Sequence, residues 1–205
     1  TDRGSPTIDL IDWYLQLAQA HMDDAEFGTD VLASDEEHPK NYHVELAINS
    51  YDEATKALKL LSVIGAINKD QDMNLLLEKY RAKLQYELGE AYTAMMSSSS
   101  YDDQSFSSVT ELSKEDKAYS ERALGYYRAA QETYGKLRYS LYIENQKGSD
   151  EYYATEKGYA DSCAKLGLSM YSQMVMTQNE KVIKSNENVM DILKKEIGLE
   201  SDARS

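Results

Sequence analysis

The 205-residue sequence contains one cysteine, two prolines and one tryptophan. The single cysteine, Cys163, cannot form an internal disulfide, and no cluster of cysteines and histidines has the spacing of zinc ligands. A run of about 18 apolar residues, the length needed to span a bilayer, is also missing, so no transmembrane helix is predicted. Because the only prolines are Pro6 and Pro39, the sequence permits long uninterrupted helices over most of its length.

Positive charge is scarce as well: 22 lysines and arginines stand against 36 aspartates and glutamates, which gives a net charge of −14. A nucleic-acid-binding protein needs a basic surface for the phosphates, and anionic lipid repels an acidic surface. We therefore predict no nucleic-acid partner and no direct insertion into a membrane. Residues 1–6 contain no hydrophobic signal core, which favours the cytoplasm, while an exported mature form after signal removal stays an open alternative.

Motifs that carry chemistry are missing too. The sequence has no glycine-rich phosphate loop, no nucleophile elbow, no His-Glu-x-x-His helix and no dinucleotide-binding fingerprint. His38 and His43 lie close together, but Pro39 interrupts helical spacing between them, and His21 is expected to be a packed side chain. We therefore predict no enzymatic activity, no metal and no cofactor. An enzyme built on the segment of His38 and His43 is the alternative that metal analysis would test.

What the sequence does contain is apolar residues at intervals of three and four, the spacing of one helix face, along six long segments. We predict an all-α single domain over 1–205, with polar loops at 28–41 and 97–108. Four glycines are predicted to end helices, namely Gly28, Gly65, Gly148 and Gly198. The six segments span about 6–27, 42–64, 70–96, 113–147, 150–178 and 189–197, and they pair into approximate hairpin units 6–64, 70–147 and 150–198.

Two short patterns alternate between these segments. The first, third and fifth segments carry Leu17, Leu88 and Leu166, each followed by alanine or glycine, and these leucines are 71 and 78 residues apart. The second and fourth carry Ala-x3-Tyr-x2-Ala, with Tyr51 and Tyr127 separated by 76 residues. Small residues at a crossing let two helices approach closely, so each pattern predicts a contact between paired helices.

This alternation resembles the tetratricopeptide repeat (TPR), in which helix A carries Trp-x2-Leu-Gly-x2-Tyr and helix B carries Ala-x3-Phe-x2-Ala. The resemblance covers nearly the whole chain and implies antiparallel hairpins stacked as a right-handed array of about six long helices. It departs from the family in its period, near 75 residues instead of 34, and in having no tryptophan at the expected position. A plain antiparallel bundle is the alternative.

The resemblance also implies a concave binding face formed mainly by the first, third and fifth helices. TPR domains that grip a C-terminal carboxylate use Lys, Asn and Arg at set positions of their A helices. Of the corresponding residues here, only Lys165 is basic, so this activity is not implied. The corresponding positions include Leu15, Gln19, Glu87, Asp161 and Lys165.

Tyrosine is the most skewed residue choice, with 17 tyrosines against two phenylalanines. In the adjacent pairs Tyr126-Tyr127 and Tyr152-Tyr153 both rings cannot face the core, because neighbouring helix positions lie about 100° apart. One ring of each pair is therefore expected to face outward or into a groove, or to fill a crevice between helices.

We predict a non-enzymatic interaction or assembly module that binds a basic or apolar protein segment in a helical groove. The alternative is a small-molecule-binding accessory protein of a transport or export system, with a tyrosine-lined pocket. A closed apolar cavity would favour the accessory protein, and an open groove would favour the interaction module. The predicted groove residues are Gln19, Tyr86, Glu87, Tyr126, Tyr153 and Lys165.

Overall fold

The computed structural model of the chain describes residues 5–31, 40–68, 71–96, 114–144 and 147–202, which are helical apart from short turns. His38 and most of the two predicted loops lie outside these residues. The prediction of an all-α protein is confirmed for this part of the chain. None of its helices carries an apolar stretch sufficient to cross a bilayer. The five helices are α1 Ser5–Val31, α2 Lys40–Asn68, α3 Gln71–Met95, α4 Lys114–Ile143 and α5 Asp150–Asp202.

The last helix differs from the sequence-based prediction, because the predicted fifth and sixth segments form one continuous helix of 53 residues, α5. The sequence between Gln178 and Val189 contains neither proline nor glycine and has several good helix formers, so nothing interrupts the backbone there. Gly198 lies inside α5, since one glycine costs a helix only about 1 kcal/mol. The described residues therefore form five helices where about six were expected.

Two further glycines do not end helices as predicted. Gly28 lies within α1 and Gly65 within α2. Gly65 is buried, and a β-carbon placed there would lie 3.1 Å from a side-chain oxygen of α3, so this glycine permits close packing of α2 on α3. Gly148 does precede a new helix: its φ of 99° lies in the left-handed region, and Ser149 then caps α5 by accepting a hydrogen bond from the Tyr152 amide at 3.1 Å.

Each helix packs on its neighbours in sequence, and the core runs through α1 to α4. Buried residues recur every three or four positions, as the sequence pattern predicts for a helix with one face toward a core. The predicted stripe of α2 is confirmed, and its buried members are Val44, Ala47, Tyr51, Ala54, Leu58 and Leu61.

Helices α1, α3 and α5 also contact one another directly and run parallel. The Tyr80 hydroxyl of α3 donates a hydrogen bond to Asp12 of α1 at 2.8 Å, across a sequence separation of 68 residues. On the other side of α3, Glu90 pairs with Lys165 of α5 at 2.8 Å, across 75 residues. These separations agree with the 71 and 78 residues between the repeated leucines. Equivalent positions of alternate helices therefore lie side by side.

The small residues of the repeat lie where the helices cross most closely. A β-carbon placed at Gly89 of α3 would lie 2.6 Å from the ring of Tyr127 on α4. At the next crossing, a β-carbon at Gly158 of α5 would lie 2.5 Å from the ring of Tyr134. In each case a tyrosine ring of α4 occupies the space above a glycine, so the spacing of these helices depends on the absence of a side chain.

Candidate functional site

A groove lies between α1 and α3, on the side where these two helices meet directly. Its larger part has a volume of about 370 Å³, and a second part of about 230 Å³ continues it toward the start of α1. The two parts share Gln19 and Glu87, so they form one surface, open along one side, which we call the α1–α3 groove. Its polar lining comes from Asp12, Gln16, Gln19, Asp23 and Glu26 of α1 and from Lys83, Tyr86, Glu87 and Glu90 of α3.

Helical spacing explains why these residues share a surface. The five polar positions of α1 recur at intervals of three and four, which places them on one stripe of the helix. This stripe adjoins the buried stripe that contains Ile11 and Ala18. Packing the apolar stripe against α2 and α3 therefore holds the polar stripe at the edge of the core, facing the polar residues of α3.

The groove is strongly acidic. Five carboxylates line it, and among the lining residues Lys83 is the one with a positive charge. Carboxylates that face one another across a partly enclosed surface raise the local negative potential, which attracts cationic groups. The five are Asp12, Asp23, Glu26, Glu87 and Glu90.

Glu87 is the most perturbed acid of the groove. Burial raises the pKa of its carboxyl above the ordinary value; the nearby Lys83 opposes this shift, Glu90 adds to it, and a hydrogen bond with Tyr51 of α2 opposes it. The fully buried Tyr51 in turn has a raised pKa, mainly because of its burial and then because of Glu87. A cation bound beside Glu87 would compensate for the water that this carboxylate has lost.

Glu90 connects the groove to the two last helices. Its carboxylate accepts a hydrogen bond from the Tyr127 hydroxyl of α4 at 2.6 Å and pairs with Lys165 of α5 at 2.8 Å. Lys165, a predicted groove residue, thus lies beside the groove and binds a carboxylate of the protein itself. Its geometry fits a role in joining α5 to α3.

The six predicted residues fall into two groups. Gln19, Tyr86 and Glu87 line the groove together, and Lys165 contacts it through Glu90. The pKa of Tyr86 is raised to about 12 by burial and by the neighbouring carboxylates of Glu90, Asp161 and Glu87.

The other two predicted tyrosines lie elsewhere. Tyr126 stacks on Tyr92 with the ring centroids 5.6 Å apart, in an aromatic cluster between α3 and α4. Tyr153 is 63% exposed in the first turn of α5. The adjacent-pair argument is nevertheless confirmed, because Tyr127 is buried while its neighbour is partly exposed. Adjacency in sequence indicates that one ring faces outward, but it does not indicate toward which surface.

Comparison with protein-family models, with curated proteins and with solved structures gave no match. The chemistry of the site therefore rests on its own residues. Sequence reasoning missed most of the acidic lining. The signal was present, since the polar positions of α1 follow the same intervals as its apolar stripe, but only the position of α3 beside α1 gives that polar stripe a facing wall.

Substituting Glu87 by glutamine is expected to stabilise the protein at neutral pH. Because the pKa of Glu87 is higher in the folded state, the folded protein binds more protons than the unfolded chain between the two pKa values. Its stability therefore falls as pH rises through that interval, and Glu87→Gln removes this loss while keeping an acceptor for Tyr51. Urea unfolding should show the variant more stable than wild type at neutral pH, with the difference vanishing below about pH 4.

The matched control for this measurement is Glu132→Gln, which removes the same charge from an exposed position of α4. It should leave the pH dependence of stability unchanged. A Glu87→Gln variant less stable than wild type at neutral pH would mean that the carboxylate gains more from Tyr51 and Lys83 than burial takes away.

Proposed function

We propose that this protein is a non-enzymatic interaction module that binds a basic segment of a partner protein in the α1–α3 groove. The observation that carries the proposal is the lining of this groove, with five carboxylates on two parallel helices and one of them, Glu87, with a pKa raised by burial. Lysine and arginine side chains supply the charge-assisted hydrogen bonds that such carboxylates accept.

The shape of the groove supports a peptide over a small metabolite. Small-molecule sites are enclosed, mostly apolar and commonly 300–1,000 Å³, whereas this groove is open along one side and its lining is largely polar. Tyr86 adds an aromatic face beside the carboxylates, where an arginine or lysine can stack. We expect the affinity to come from that ring and from Glu87, with the surrounding acids accelerating association.

We further propose that the helices form a TPR-like array, with α1, α3 and α5 in the role of A helices and α2 and α4 in the role of B helices. Two observations support it. Direct contacts between alternate helices join residues about one repeat apart, as in Glu90 with Lys165. The glycine of the helix A pattern in α3, Gly89, lies against Tyr127 of the helix B pattern in α4. On this arrangement the α1–α3 groove belongs to the face that TPR arrays use for binding.

The binding of a basic segment can be measured by fluorescence anisotropy with short labelled peptides rich in lysine and arginine, and with glutamate-rich peptides of the same length. We expect binding of the basic peptides only, weakened by salt. The double variant Asp23→Asn, Glu87→Gln should weaken it about tenfold or more, since a hydrogen bond to a charged group contributes about 1.5–3 kcal/mol.

The control for this experiment removes the same two charges from exposed positions of α4, as Glu121→Gln, Glu132→Gln. These changes should alter the affinity less than the groove variant does. Equal losses in both double variants would show that net charge alone attracts the peptides, and would contradict a specific site. Binding of the acidic peptides with similar affinity would contradict the proposed partner.

A further inference from the structure

Two histidines and an aspartate meet where the second half of α1 packs on the start of α2. His21 and Asp24 are three residues apart on α1 and therefore share one face of that helix. His43 lies in the first turns of α2 and brings its ring centroid to 6.4 Å from that of His21. Their potential ligand atoms, imidazole nitrogens and a carboxylate oxygen, all lie within 4.8 Å of one another. We call His21, Asp24 and His43 the histidine cluster.

The composition and geometry of the histidine cluster suit a zinc ion. Two imidazoles and one carboxylate are a common three-residue ligand set for zinc, with water or another ligand in the fourth position. Zinc–ligand bonds of about 2.0–2.1 Å in a tetrahedron place the ligand atoms about 3.3 Å apart. The separations of up to 4.8 Å therefore require movements of an ångström or so. The Asp24 side chain is 64% exposed and has room to make such a movement.

A second observation points independently to a ligand. The Nδ1 atom of His21 is shielded from solvent and makes no hydrogen bond within the described part of the chain. A buried polar atom without a partner destabilises a protein by about 1–3 kcal/mol, so such atoms normally have one. Coordination of a metal by the His21 imidazole would give this ring the polar partner that its position otherwise denies it.

A simple ion pair does not account for the arrangement. Nδ1 of His43 and Oδ2 of Asp24 are 4.0 Å apart, which is too long for a hydrogen bond. The cluster is also distinct from the α1–α3 groove. Asp23 lines the groove, whereas the next residue, Asp24, faces His43, because adjacent helix positions differ in direction by about 100°.

We propose that His21, Asp24 and His43 bind a zinc ion that joins the second half of α1 to the start of α2. This revises the prediction of no metal. Sequence reasoning considered only His38 and His43, which are close in sequence, whereas the ligands of the cluster come from two antiparallel helices and are 22 residues apart at the extremes. The metal would stabilise the first helical pair and leave the groove accessible.

The test is a titration of the chelator-treated full chain with Zn²⁺ alone, by calorimetry in the presence of a competing chelator. We expect one ion per chain and a rise in melting temperature, since a ligand that binds only the folded state stabilises it. His21→Ala and His43→Ala should each weaken binding roughly a hundredfold or more, because even outer partners of a zinc site contribute 10–100-fold. Co²⁺ in place of Zn²⁺ should give the intense visible absorption of a four-coordinate site.

Matched variants make the test specific. Asp24→Asn and Asp23→Asn remove the same charge from adjacent exposed residues, and only Asp24→Asn should weaken zinc binding. Because both positions are exposed, neither variant should disturb folding, which circular dichroism would check. His38→Ala should bind zinc like wild type. Equal weakening by both aspartate variants, a loss of binding in His38→Ala, or no measurable zinc binding by the wild-type chain would each overturn the proposal.

Discussion

Replacing Tyr51 by alanine is expected to lower the free energy of unfolding by about 3–5 kcal/mol, the usual range for truncating a large buried ring. The Tyr51 side chain is only 1% exposed, in the predicted stripe of α2, and its hydroxyl bonds Glu87 of the groove. The substitution opens a cavity between α2 and its neighbours, and it also removes the hydrogen bond to a buried carboxylate. Urea unfolding at neutral pH measures the loss.

Two further variants separate the contributions of ring and hydroxyl. Tyr51→Phe keeps the ring and removes the hydrogen bond, so we expect a loss of about 1 kcal/mol. Tyr139→Ala removes a ring that is 64% exposed on α4, and its effect should stay within about 0.5 kcal/mol. If Tyr51→Ala and Tyr139→Ala destabilised the protein equally, Tyr51 would not be a core residue, and the packing of α2 described above would be wrong.

The second large effect is expected at Gly89, where alanine should destabilise the protein by about 1–3 kcal/mol, as overpacking a core does. A β-carbon at this position would lie 2.6 Å from the ring of Tyr127, which is itself 1% exposed and has no room to withdraw. Relieving the overlap requires α3 and α4 to separate. The hydrogen bonds of the Tyr127 hydroxyl to Glu90 and Thr93 would then lengthen.

Gly125 provides the control, because it lies in the same kind of helix interior but a β-carbon there would meet nothing within 4 Å. Alanine is the better helix former by about 0.8–1 kcal/mol, so Gly125→Ala should stabilise the protein by up to that amount. Chemically identical changes are thus expected to have opposite signs. A stabilising Gly89→Ala would show that α3 and α4 do not cross as closely as described.

Periodicity accounts for most of what the sequence predicted correctly. The intervals of three and four in α2 identified its buried face, and the predicted start of the fourth segment at 113 is one residue from the start of α4 at Lys114. Comparing the repeated patterns aligned the first and third segments. That alignment placed Gln19 and Glu87 at equivalent positions, and the structure brings both into one groove.

Predictions that depend on contacts between distant residues fared less well. Gly65 has the local sequence of a helix end, but its role is to admit α3, and no local pattern distinguishes these two uses of glycine. Tyr126 was assigned to the groove because its neighbour had to be buried, yet its outward direction leads to Tyr92. His21 and His43 are separated by a loop and a helix turn, so neither indicates the other until α1 and α2 are paired.

The 53-residue helix α5 has a mechanical consequence. Its crossing with α4 places Gly158 beside Tyr134, and continuing that antiparallel pairing brings the first residue of α4 opposite about residue 178. The remaining residues of α5 extend beyond α4 by about 35 Å at 1.5 Å per residue. With its first half fixed to α3 by the pair of Lys165 and Glu90, α5 acts as a rigid strut that sets the distance and direction between the acidic groove and the far end of the helix.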